Sequence, residues 1–311
     1  MKNFTTNQRE LVPAVRTRKK ESNRTLSSWV SCGSRLKKQK IIDGLVYCTM
    51  AMAMVGVIVA LLYVLIYIFR SQAGYLNLSF LTSAETGILP MIVTTLYVVL
   101  VSIAVALPVG LATAIFLNEY SGNSPFIRIL RLAIETLAGI PSIIYGLFGL
   151  LMFCRMLGFG QSIIAGSLTL SIMILPVIIR TTEESLKSIP DSFREGSLAL
   201  GATKFQTTIH VVLPSALPGI LTSVILAIGR VVGESAPVLL TVGLSKNMPR
   251  SIFESGRTLT IHLFYLTNEA VRPEDFGIAF ATAAVLVILV VIINSATKIL
   301  THNFQKKLGG L

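Results

Sequence analysis

Arg230 and Glu234 stand four residues apart inside Leu217–Gly243, a stretch of 27 residues, LPGILTSVILAIGRVVGESAPVLLTVG, with no other charge. A guanidinium is permanently ionised and presents a planar fork of donors that suits an oxyanion. A carboxylate four residues on can hold that fork when no anion is there. At the middle of an apolar run each charge costs at least about 2.5 kcal/mol on insertion scales, so such residues face protein or a water-filled path. The spacing predicts that both lie on one face of one helix. Two roles fit. The pair lines an anion pathway, or it neutralises itself and fixes helix packing. An isolated mid-span pair is costly to keep for packing alone. On the other side, Arg before Glu is the less favoured order on a helix, and a carboxylate repels a passing anion.

Other chemistry is sparse. Cys32, Cys48 and Cys154 have neither metal nor disulfide spacing, and His210, His262 and His302 are isolated from one another, so no metal site is expected. No nucleophile, base and acid converge, so a membrane enzyme is disfavoured. The chain lacks a Gly-rich loop ending in Gly-Lys-Ser/Thr, so ATP hydrolysis is not expected of it, and no cofactor is assigned.

The frame that positions the charged pair is a membrane bundle. The 311 residues are 53% hydrophobic and 14% charged, with a mean hydropathy of +0.73, too apolar for a soluble chain. Six spans are predicted, at about Ile41–Phe69, Ile88–Leu117, Leu132–Phe153, Ile163–Ile179, Leu217–Gly243 and Phe276–Thr297. Pro108, Pro141 and Pro176 fall inside spans, which a packed bundle tolerates. Small residues recur at four-residue spacing, as at Gly229 and Gly233, and allow close helix approach. The fold class is therefore all-α and polytopic. Residues 1–40 form a basic tail with 11 Lys or Arg against Glu10 and Glu21, read as a disordered segment drawn to anionic headgroups. A regulatory or nucleic-acid arm is the alternative for that tail. Residues 41–300 form the membrane domain, with a polar loop at 181–215, and 301–311 a short tail.

Loop charges set the orientation. With the N-terminal tail inside, 20 of the 27 Lys and Arg fall on the cytoplasmic side, six fall outside, and Arg230 lies within a span. Both termini and the 181–215 loop are then cytoplasmic. The net charge of +12 is a topology signal, and nucleic acid is not expected as a partner. Arg131 and Glu135 read as a second pair at i,i+4, interfacial and snorkelling, and Arg180 as a headgroup anchor. The outer segment Leu244–Asp275 is expected to hold short helices.

Within the loop, Ser188 with Asp191 fits a helix start, and a helix is predicted through Glu195 and Leu200. Gly201 suits the left-handed residue that ends it. Thr203 with Gln206 is a second capping pair, and the helix that follows is expected to stop near Leu213, before Pro214. The run Glu195-Gly196-Ser197, three residues, Gly201, nine residues, then Val211-Val-Leu213-Pro214 resembles the EAA loop of ATP-binding-cassette importer permeases. The two usual alanines are Gly196 and Ser197 here, and the usual Ile is Val211. Ala138-Gly-Ile-Pro141, Leu107-Pro-Val-Gly110 and Gly229-Arg-Val-Val-Gly233-Glu-Ser-Ala-Pro237 are similar to the phosphate-specific permeases of bacteria and archaea. The Glu-Ser-Ala-Pro ending favours the A-type subunit over the C-type.

The resemblance implies a type I importer permease fold in the cell membrane. It implies a heterodimer with a second permease, two ATP-binding subunits that handle ATP, and an extracytoplasmic phosphate-binding protein. Glu195, Gly196, Ser197, Gly201, Leu213 and Pro214 then carry the coupling to the ATPase. A molybdate, tungstate or sulfate permease is the runner-up, and an autonomous anion channel or secondary transporter, which needs no coupling loop, a further alternative.

Overall fold

The computed structural model describes residues 43–71, 74–83, 87–122, 124–270 and 273–308. The basic tail at 1–40 lies outside them. All regular structure among the described residues is helical, as the composition requires of a chain that must satisfy its backbone inside lipid.

Two units divide the chain, one ending at Tyr67 and the other running from Ile68 to Leu311. The first contains most of α1, Asp43–Ser71, an apolar helix of 29 residues. The second begins with α2 (Leu78–Thr82) and α3 (Leu89–Ile115), whose last turn widens into a π-helical stretch at Phe116–Tyr120. Next come α4 (Pro125–Ala138) and α5 (Ser142–Gly149), the latter extended by π-helical turns at Leu150–Met156. After α6 (Ile163–Lys187), α7 (Asp191–Ala199) and α8 (Lys204–Thr207), further π-helical turns at Thr208–Val212 lead into α9 (Leu213–Gly233). The chain ends with α10 (Ala236–Thr241), α11 (Leu259–Glu269) and α12 (Pro273–Leu308). Among the described residues five helices are long and apolar enough to cross a membrane, or six when α4 and α5 count as one bent span.

The most buried of these spans is α6, two thirds of whose apolar window is covered inside the chain. It packs chiefly on α3. Gly110 permits the approach, because a Cβ there would come within 2.7 Å of Ile178 Cγ2. Hydroxyls stitch the same contact: Ser171 Oγ donates to Ser102 O at 3.0 Å, and Ser102 Oγ donates to Ser167 O at 3.2 Å. Small residues with short hydroxyls suit helix pairs in lipid, where apolar burial gives little drive. Val98, Leu170, Ile174, Ala227, Ile228 and Val231 complete this core from α3, α6 and α9. A second cluster of Leu117, Leu186, Ile189, Val212 and Ala216 lies where the α6–α9 loop is rooted. A third, Ile88, Met91, Leu259 and Val285, closes the opposite end.

Three predicted elements differ in the structure. The third span is bent by 100° between α4 and α5, because Pro141 lacks an N–H and restricts the residue before it. The Tyr145 hydroxyl donates to Leu137 O at 2.7 Å and spans the bend. The helix after Thr203 does not stop before Pro214. It runs from Lys204 to Gly233, since the widened turn at Thr208–Val212 makes room for the Pro214 ring against the preceding carbonyls. The fifth span, expected to run unbroken to Gly243, ends at Gly233. Pro237 could not continue α9 without clashing with the Gly233 carbonyl, but at the second position of a new helix its missing N–H costs nothing.

Candidate functional site

The break after Gly233 changes the geometry of the charged pair. Arg230 is in the last turn of α9, while Glu234 has left the helix with extended backbone (φ −77°, ψ 133°). The pair does not share one helix face. Glu234 is the residue at which the chain turns from α9 into α10, and its carbonyl accepts a hydrogen bond from Thr260 Oγ1 at 3.2 Å.

The contact between the two side chains is loose, with Arg230 Nε 3.7 Å from Glu234 Oε1. That is beyond normal hydrogen-bond length. Arg230 is one third exposed and Glu234 17%. Among the described residues the two terminal nitrogens of Arg230 have no hydrogen-bond partner, so the fork is open.

Two half-helices start beside this fork. Opposite Gly146 of α5, a Cβ would lie 2.8 Å from Pro237 Cα of α10, and further along Cys154 Sγ is 3.7 Å from Thr241 O. Since 146 and 237 pair before 154 and 241, the half-helices run parallel and their N-termini face the same way. α10 begins two residues after Glu234, and α5 packs on it at Pro237, so both half-helices flank the break. A charged fork among interrupted helices is an arrangement found at substrate sites of transporters.

The loop site is built at the other end of α9. α7 starts at Asp191 after Pro190, with no side-chain cap. Ser188, expected to cap it, ends α6 instead and donates to Ser185 O at 2.7 Å. Gly201 has φ +87°, and Ala202 N donates back to Ser197 O at 3.2 Å, the six-residue closure of a glycine-terminated helix. Thr203 and Gln206 form the reciprocal capping box. Ser197 Oγ and Thr207 Oγ1 meet at 2.9 Å across the corner. Glu195 and Gly196 are exposed, and a Cβ on Gly196 would meet open space. Phe193, Leu198, Leu200 and Phe205 are exposed beside them, Leu200 at 91%. Leu213 packs on the cluster at the root, and Pro214 follows it inside α9.

One residue that sequence reasoning counted only as a loop charge organises this loop. Arg194 is 17% exposed and Glu119 7%. Arg194 Nη2 donates to Glu119 Oε1 and to Leu186 O, both at 2.9 Å, and Nη1 donates to Ile189 O at 2.9 Å. The Glu119 carboxylate, through its hydrogen bond, holds the Arg194 pKa above the usual arginine value. This clamp ties α7 to the end of α3. The expected Arg131–Glu135 pair is absent in favour of cross-helix pairs. Arg131 meets Glu183 of α6 and also donates to Leu117 O at 3.0 Å. Glu135 lies 3.6 Å from Arg180, so Arg180 pairs with α4. Both charges of α4 thus find their partners on α6 and not on their own helix.

At the opposite end of the bundle His262 is 8% exposed. Burial first, then Arg257 and Lys246, lower its pKa to about 4. A histidine depressed in this way is neutral when folded but takes up a proton when unfolded below pH 6.5. Stability is therefore intact above that pH and lost as pH falls toward 4. Between pH 7 and pH 5 the loss from this group amounts to about 2 kcal/mol. Thermal unfolding in detergent at the two pH values should show a smaller acid shift for His262→Gln than for the native chain.

Comparison with known proteins fits this geometry. Residues 106–309 match the family described as "Binding-protein-dependent transport system inner membrane component". The chain belongs to this family. Its relatives include the probable ABC transporter permease protein YqgI of Bacillus subtilis, 35% identical over 78% of this chain and 89% of that one. The phosphate transport system permease protein PstA of Mycobacterium leprae is 42% identical over 62% of this chain and 64% of that one. Among solved structures, a bacterial alginate ABC transporter in complex with an alginate pentasaccharide-bound periplasmic protein aligns with a TM-score of 0.67 and 14% identity, over 88% of this chain and 99% of its own. The type I permease fold and a PstA-like ABC permease assignment follow, and the permease is a multi-pass inner-membrane protein.

Proposed function

We propose that the chain is the A-type permease subunit of an ATP-driven phosphate importer, with both termini and the α6–α9 loop in the cytoplasm. It pairs with a second permease and two ATP-binding subunits, and receives phosphate from an extracytoplasmic binding protein. The observation that carries the reading is the open guanidinium fork of Arg230 at a helix break in a chain that is 42% identical to a phosphate permease over 62% of its length. Arg230 replaces part of the anion's lost hydration, and Glu234, 3.7 Å from its Nε, balances its charge without closing the fork. Glu234 also accepts a hydrogen bond from a protonated phosphate, which sulfate cannot offer.

Coupling enters through α7. Closure of the ATPases moves the exposed surface around Glu195, Gly196, Ser197 and Gly201, and Leu213 and Pro214 pass the motion into α9 without interruption. The bundle is the two-state element, and nucleotide biases it through this loop. Because a β-branched residue resists the positive φ of Gly201, Gly201→Val is expected to uncouple transport, with ATP-driven uptake lost or the ATPase no longer co-purifying. Unimpaired uptake by that variant would show that the corner is dispensable.

The substrate is tested by competition in intact cells. Unlabelled phosphate should suppress uptake of radiolabelled phosphate through this system, whereas equal concentrations of sulfate or molybdate should not. Suppression by sulfate or molybdate alone would assign the permease to that oxyanion.

A further inference from the structure

We propose that Tyr145 is a positioning residue for transport. Its hydroxyl fixes the angle at which α5 leaves the Pro141 bend, and through α5 it sets the half-helix α10 beside the Arg230 fork. The inference rests on the reading of the chain as an oxyanion importer. It gives a task to the run from Ala138 to Tyr145, which neither the fork nor the α6–α9 loop uses.

The need arises at Leu137. In a helix continued through residue 141, the N–H of that residue would donate to Leu137 O, and proline has no N–H. One backbone bond remains to this carbonyl, from Ile140 N at 3.2 Å. A carbonyl has two lone pairs, and the Tyr145 hydroxyl takes the other at 2.7 Å. This bond reaches from α5 back to α4 across the 100° break. Among the described residues it is the only side-chain hydrogen bond between the two helices. A phenylalanine would fill the same core with no polar atom to satisfy, so packing alone does not call for the phenol.

The ring acts on the other side. Tyr145 is 5% exposed and lies in the core with Val231 and Val232 of α9 and Val238 of α10. The first two follow Arg230 directly, and the third stands just beyond the break. The next residue, Gly146, seats α5 on α10: a Cβ there would lie 2.8 Å from Pro237 Cα and 3.3 Å from Ala236 O. Ala236 and Pro237 open α10. A change in the angle of α5 is therefore passed to the start of α10, where the chain has just left Glu234. α4 in turn is tied to α6 through Arg131 and Glu183, and to the end of α3 through Leu117 O. Side chains thus offer the cytoplasmic end a route to the fork besides the continuous α9.

The test uses the complete complex in proteoliposomes with loaded binding protein, read as phosphate accumulated per ATP hydrolysed. That ratio does not depend on how many complexes fold, so a loss of stability alone leaves it unchanged. Tyr145→Phe, with its ATPase subunits still bound, should lower the ratio about fivefold, the shift that one neutral hydrogen bond sustains. The angle is read separately in the purified complex, from the distance between spin labels at Leu132→Cys and Leu151→Cys, both exposed in the native chain, with Cys32, Cys48 and Cys154 replaced by Ser. Wild type should give one narrow distance and Tyr145→Phe a broadened distribution. Pro141→Ala restores the N–H that Leu137 O lacks, and in that background Tyr145→Phe should leave the distribution as it is. An unchanged ratio in Tyr145→Phe would overturn the proposal. So would identical distances in wild type and Tyr145→Phe, or equal broadening in both backgrounds, which would detach the hydroxyl from the bend. If wild type accumulates sulfate and not phosphate, the phosphate reading fails, and the same ratio taken for sulfate decides the role of Tyr145.

Discussion

Arg230→Gln is expected to abolish ATP-driven phosphate uptake while leaving assembly with the ATPase intact. The substitution keeps a polar side chain but removes the guanidinium charge at the α9–α10 break. An anion there has lost most of its hydration, and a single charge in such surroundings is worth about 3 kcal/mol on insertion scales. Loss of that compensation predicts a fall in uptake of roughly 100-fold or more. Assembly should survive because the guanidinium is one third exposed and bound to Glu234 only at 3.7 Å. A residue fixed for packing would be better satisfied. If packing were its role, Arg230→Gln would instead lower stability and leave transport by the surviving complex near normal.

Arg194→Ala is expected to have the second large effect, at the coupling end. The guanidinium holds Glu119, Leu186 O and Ile189 O together, each at 2.9 Å. Its removal leaves a carboxylate that is 7% exposed without its cation. Breaking a buried pair on one side costs about 3–5 kcal/mol, enough to release α7 from the end of α3. Hydrogen exchange should accelerate across residues 188–200, and phosphate transported per ATP hydrolysed should fall sharply. Arg194→Lys should restore little, since one ammonium cannot satisfy the carboxylate and two separated carbonyls. Unchanged exchange in Arg194→Ala would show that α7 is held by its glycine corner and the Ser197–Thr207 contact instead.

Local features were legible in the sequence because they depend on neighbours in the chain. The capping box at Thr203 and Gln206 and the left-handed turn at Gly201 both follow from residue type and spacing. The apolar run from Ile163 was legible as a span in the same way, and it begins α6. Direction was less legible, because hydropathy measures the length of a run and not its straightness. Pro141 and Pro237 both stood in plain view, yet each was read through. At 141 the chain bends by 100°, and ahead of 237 it breaks, so Arg230 and Glu234 meet across a helix end.

Long-range pairing was the least legible. Glu119 and Arg194 are 75 residues apart, and Arg131 and Glu183 are 52 apart. Before the fold is known, the four-residue rule offers Glu135 as the partner of Arg131, and nothing in the spacing points to α6. The Nδ1 of His262, buried without a hydrogen-bond partner among the described residues, is a tertiary property of the same kind. From sequence it was one lone histidine in a polar segment.

The central claim is that the Arg230 fork carries phosphate across the bundle. It is tested most directly by ATP-dependent uptake of radiolabelled phosphate into proteoliposomes holding the complete complex and a phosphate-loaded binding protein. The account predicts accumulation that excess sulfate leaves intact and that vanishes in Arg230→Gln, although that variant retains its ATPase subunits. Accumulation at the wild-type rate in Arg230→Gln would contradict it.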